Sequence, residues 1–89
     1  MSTCNPNDHA AWRARLLSTL KRVRTAPDFA AKSADFYIAL GWISAAHCLG
    51  AISIAASERL HDLALNASEQ RAAEFAQQRR QAIAQERAA

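Results

Sequence analysis

Glycine and proline are scarce, with two of each in 89 residues, and the only two cysteines, Cys4 and Cys48, lie far apart. Those shortages exclude collagen-like and disulfide-framed chains, because neither a repeating backbone pattern nor a set of covalent staples can be built from them. Aromatic residues make up only 7%. A Gly-rich phosphate loop, a GxSxG turn and an HExxH helix are all missing, so the common phosphate, acyl-transfer and zinc-hydrolase motifs have no foothold. No basic stretch leads into an apolar one across Met1 to Asp8, so no secretory leader is expected and the expected compartment is the cytoplasm. There both cysteines stay reduced, and the Asn66-Ala67-Ser68 sequon is a chance match.

What the chain has in quantity is alanine. Hydrophobic residues reach 51%, yet 22 of them are Ala, which leaves few large side chains for a core. A chain of this length supports one domain, 1–89, and needs helices packed closely enough for those few Leu, Ile, Phe and Trp residues to meet. So small a core also favours an added interface, so a homo-oligomer is an expected state.

The periodicity is helical throughout. Trp12, Leu16, Leu20 and Val23 form one stripe of a first helix, expected over about 8–24 with Asn7 or Asp8 as its cap. Thr25-Ala26-Pro27-Asp28 reads as a boundary, with Thr25 and Asp28 spaced as a capping box opening a second helix over about 26–49. Ser33 is a point where that helix could break. Gly50 suits the left-handed position past its end, and Ser53 suits the cap of a third helix over about 54–87, with a potential break near 66–68. The short connection makes helices two and three an antiparallel hairpin. Folding it about residues 51–52 pairs Ile43 with Leu60, Leu40 with Leu63 and Phe36 with Ala67, and extends to Phe29 near Phe75. The expected fold is therefore all-α: three helices, a central antiparallel hairpin and a long polar C-terminal helix.

Charge is uneven along this frame. The net +3 comes from residues 1–25, where Arg13, Arg15, Lys21, Arg22 and Arg24 stand against Asp8 alone. Such a cluster attracts an acidic protein surface or a phosphate backbone, and a solvated helix face is the competing reading. From Phe36 to Ser57 no residue is charged, which approaches the length of a membrane span. His47, Ser44, Ser53, Gly41 and Gly50 interrupt that run, so a buried hairpin is the preferred reading and a membrane contact is not expected.

The candidate metal ligands, Cys4, His9, His47, Cys48 and His61 with Asp8, Asp35, Glu58 and Asp62, show no zinc spacing, and His47 reads better as a hydrogen-bonded residue at the core edge. Cys48 follows His47 directly, but neighbouring helix residues point about 100° apart, which does not make a nucleophile and its base. No metal, no cofactor and no catalysis are expected. What remains is recognition. Tyr37 and Trp42 are aromatics of the kind that anchor interfaces, and the strip Gly41, Ser44, Cys48 is small enough to admit another helix. The expected partner-binding residues are thus Arg13, Arg15, Lys21, Arg22, Arg24, Tyr37 and Trp42.

Three segments carry a likeness: Phe36-Tyr37-Ile38-Ala39-Leu40-Gly41-Trp42-Ile43-Ser44-Ala45-Ala46, Leu49-Gly50-Ala51-Ile52-Ser53, and Arg59-Leu60-His61-Asp62-Leu63-Ala64-Leu65-Asn66-Ala67. Over less than half its length the chain resembles the helical hairpin of small proteobacterial proteins from plasmids, prophages and integrative elements. Some of those are anti-CRISPR or other counter-defence inhibitors, so the resemblance implies a binding protein that covers a surface of a host protein or ribonucleoprotein complex. Two other functions compete with it: a nucleic-acid-binding accessory protein using the basic first helix, and a small single-span membrane protein.

Overall fold

The computed structural model describes residues 6–88, with side chains from Ala10 onward. It holds three helices, α1 (Pro6–Arg24), α2 (Phe29–Cys48) and α3 (Ile54–Ala88), and no strand among the described residues. The chain is the expected three-helix all-α fold, with every helix touching the other two. Cys4 lies outside the described residues, as do the side chains of Asp8 and His9.

The helix ends show which local signals won. α1 starts at Pro6, so Asn7 and Asp8 stand inside its first turn and not ahead of it; proline fits that first position because its missing N–H has no helical acceptor there. Thr25 closes α1: its hydroxyl donates to the Lys21 carbonyl at 2.8 Å. The capping box is therefore not formed, and Asp28 caps α2 by itself, with extended backbone and its carboxylate accepting from the Ala31 N–H at 2.8 Å. α2 begins three residues later than expected and runs through Ser33 unbroken.

Its end is a Schellman turn. Gly50 N–H reaches the His47 carbonyl at 3.0 Å and Ala51 N–H the Ala46 carbonyl at 2.8 Å, with Gly50 at φ +73°. Ser53 then caps α3, its hydroxyl accepting from the Ala56 N–H at 3.1 Å. α3 is continuous across 66–68, because Ser68 turns inward to α2 and so offers no cap for a new helix.

Each helix buries a seam of 3.5-residue period, the pattern of helices packed nearly parallel. In α1 it runs Trp12, Leu16, Thr19, Val23; in α2 Lys32, Phe36, Ala39, Ile43, Ala46; in α3 Ser57, Leu60, Ala64, Ser68, Arg71. The centre is Leu16, Ala39, Ile43 and Ala64, with Ile43 and Val23 the largest side chains fully enclosed besides Thr19. Ile43 and Leu60 share this cluster, as the hairpin register required. Leu63 does not: it is 56% exposed, and Ala64 takes the inward place, since the seam steps four residues on from Leu60 and not three. Phe29 is also exposed. Its ring carries the Lys32 ammonium at 4.5 Å, while Phe75 carries the Arg71 guanidinium at 4.4 Å, so each ring is covered by a cation of its own helix.

Four polar side chains, Thr19, Lys32, Ser57 and Ser68, sit in this small core, and every buried side-chain polar atom described has a hydrogen-bond partner. α3 spans about 52 Å at ~1.5 Å per residue, much more than α1 or α2. The molecule is correspondingly long, 66 × 21 × 16 Å, and residues 77–88 of α3 are all exposed.

Candidate partner-binding surface

The antiparallel hairpin places α1 alongside α3 with their N-termini at the same end. Near the turn, Trp12, Leu16 and Leu17 of α1 face Ile52, Ala56 and Leu60 across an apolar cleft of about 520 Å³. Arg13 on one wall and Arg59 on the other stand at its rim. Both are exposed and neither forms an ion pair among the described residues; Arg59 makes only a long bond, 3.4 Å, to the Ala55 carbonyl. Leu63 lies seven residues from Ala56 and seven from Gln70, both of which neighbour α1, so it continues this flank of α3 beyond the cleft. Leu17 is 60% exposed there.

The basic cluster of α1 divides into two groups. Arg22 and Arg24 are used between helices at the bundle surface: Arg22 pairs with Asp35 at 3.3 Å and donates to the Thr19 hydroxyl at 3.2 Å, while Arg24 binds Glu74 and the Gln70 side chain. Arg13, Arg15 and Lys21 are exposed without an ion pair among the described residues. Arg15 and Arg22 line a smaller cleft of about 170 Å³ against Trp42, which sits half-buried on the α1 side of α2. Tyr37 is elsewhere. Five residues from Trp42, it is turned about 140° around the helix, is exposed, and tilts against Phe36 at 5.6 Å between ring centres. The two expected aromatic anchors thus belong to different faces. The strip of Gly41, Ser44 and Cys48 is exposed, and nothing lies within 4 Å of where a Gly41 side chain would be.

Sequence reasoning passed over Arg71 and Glu74, which tie the C-terminal end of α1 to the middle of α3. Arg71 donates to the Ala26 carbonyl at 2.8 Å and to Glu74 at 3.2 Å, and Glu74 also takes the Arg24 guanidinium. The hydrogen bond from Arg24, then that from Arg71, holds the Glu74 carboxyl below its ordinary value of 4.5. The signal was present as Arg71 and Glu74 at i, i+3 in a helix with little else to bury.

His47 is exposed and not set into the core edge, because the α2 seam ends at Ala46. His61 instead lies half-buried, with its Nδ1 2.9 Å from the Ser57 carbonyl. Among the described residues no three His, Cys, Asp or Glu side chains gather as a metal site. No helix among them is long and apolar enough to cross a membrane, and the uncharged run from Phe36 to Ser57 is divided between α2 and α3 by the turn after Cys48. Compared with protein-family models, curated proteins and solved structures, the chain matches none.

Proposed function

We propose that the chain is a non-catalytic protein-binding module that takes an acidic, amphipathic helix of a partner protein into the cleft between α1 and α3. One observation carries this reading: Arg13 and Arg59 flank an apolar floor, and no carboxylate is paired with either among the described residues. An occupant with an apolar stripe and flanking Asp or Glu would bury Leu17, Ile52 and Leu60 and neutralise both guanidinium groups. The likeness of the hairpin to mobile-element proteins supports a narrower version, an anti-CRISPR-like inhibitor that covers a surface of a host complex. The test is capture from host lysate by the wild-type chain beside Arg13→Glu/Arg59→Glu; a specific protein lost by the variant supports the reading, and an unchanged captured set rejects it.

A second reading is favoured by where the unpaired cations lie. Arg79, Arg80 and Arg87 on the outer part of α3 add to Arg13, Arg15 and Lys21, so phosphate backbones have several exposed contacts along the molecule. Nucleic-acid binding of this kind weakens steeply with salt. Absence of any DNA or RNA affinity at low ionic strength rejects it.

A further inference from the structure

Glu74 faces α1, where Arg24 holds it. Leu65 and Ile83 each lie nine residues from Glu74, about half a turn around α3 at roughly 100° per residue, and so share the side opposite α1. Both are 47% exposed. Ala72 and Ala76 fall between them on the same line, small enough to let another helix approach. Charge along this side is divided by position. Glu58, Asp62 and Glu69 occupy the part beside α2, while Arg79, Arg80 and Arg87 occupy the part that runs past the bundle, with Glu86 their only acidic neighbour there. None of the six makes an ion pair among the described residues.

We propose that a second copy of this chain docks antiparallel along that side of α3, seating its Ile83 on the first copy's Leu65 and receiving the reverse contact in return. With facing positions adding up to about 148, Leu65 meets Ile83 and Ala72 meets Ala76. On one flank, a residue further along, Glu69 comes opposite Arg80 and Asp62 opposite Arg87, and in an antiparallel two-fold pair the same flank of each helix meets its counterpart. Parallel pairing would set Glu58, Asp62 and Glu69 against their own copies, which like-charge repulsion opposes. Tyr37, turned to the α3 side of α2 and 69% exposed, borders the same surface. The pairing also gives residues 77–88, which leave the bundle as an exposed continuation of α3, a neighbour. Because each copy presents the same patch, the association closes at two. This surface lies across α3 from the cleft of the proposed function and stands independently of it.

Sedimentation equilibrium of the purified full chain, from micromolar to millimolar concentration, tests the proposal. The expected mass is twice that of the 9.7 kDa chain. Ile83→Asp should raise the dissociation constant by at least about tenfold, since the two-fold repeats the change and both apolar anchors of the pair are lost. Glu69→Arg and Arg80→Glu should each weaken the dimer, and the double variant should restore it, since the exchanged charges meet again across the two-fold. Leu17→Asp, in the cleft, should leave it unchanged. All these positions are exposed, and far-UV circular dichroism checks that each variant is folded. A monomer throughout, a dimer indifferent to Ile83→Asp, or a double variant no better than the singles overturns the proposal.

Discussion

Lys32 of α2 donates to the Ser68 hydroxyl of α3 at 2.8 Å, inside the bundle, with the ammonium residue only 6% exposed. This bond fixes where α2 lies along α3. Ser68→Ala leaves the ammonium without that acceptor and should cost about 1–3 kcal/mol. Adding Lys32→Met replaces the stranded charge with an apolar chain of similar volume and should recover most of the loss. Urea unfolding of the single and double variants measures both changes.

The choice of Ala64 over Leu63 at the seam sets a second pair apart. Ile43→Ala empties the centre of the core and should destabilise by about 2–5 kcal/mol. Leu63→Ala changes an exposed side chain and should stay within about 0.5 kcal/mol. If the two variants unfold at the same denaturant concentration, the register described for α3 is wrong.

The two glycines predict opposite signs. Gly50 sits at φ +73° in the turn ending α2, and Gly50→Ala should cost about 1–2 kcal/mol because a Cβ is strained in that conformation. Gly41 is mid-helix with open space around it, so Gly41→Ala should gain about 0.5–1 kcal/mol from helix propensity. Thermal unfolding of both variants separates these outcomes.

Glu74 supplies the pH dependence. Its carboxyl is held low by Arg24 and Arg71 in the folded chain, so the unfolded chain binds its proton first on acidification. Stability from this group is present above the ordinary glutamate value and is lost as pH falls through the lower folded value. Glu74→Gln should flatten the acid limb of the stability curve, and side-chain carbon chemical shifts should show Glu74 titrating below the ordinary glutamate value of 4.5.

Much of this architecture was legible in the residues, and the misses share a cause. The helical stripe of α1, the glycine turn at Gly50 and the cap at Ser53 rest on local chemistry, which spacing reveals directly. Leu63 and His47 were misplaced because hydrophobic or polar character was read as burial, whereas the seams of α2 and α3 are filled largely by Ala39, Ala46, Ala64, Ser57, Ser68 and the stem of Lys32. In a chain rich in alanine the inward face is chosen in large part by close approach of backbones, so that a few large side chains such as Leu16, Val23 and Ile43 are enclosed while Leu17, Leu63 and Leu65 stay outside. The basic cluster on α1 divided for a similar reason. Which arginines pair with Asp35 and Glu74 depends on contacts across helices, and no local spacing encodes them.

The cleft between α1 and α3 is the centre of this account, and a three-way capture from host lysate addresses it most directly. Wild type, Leu17→Asp and Tyr37→Ser, immobilised at equal density and washed at the same salt, should give one protein species retained by the wild type and by Tyr37→Ser and lost from Leu17→Asp. Retention of the same species by all three, or its disappearance on nuclease treatment, would contradict the cleft as a protein-binding site.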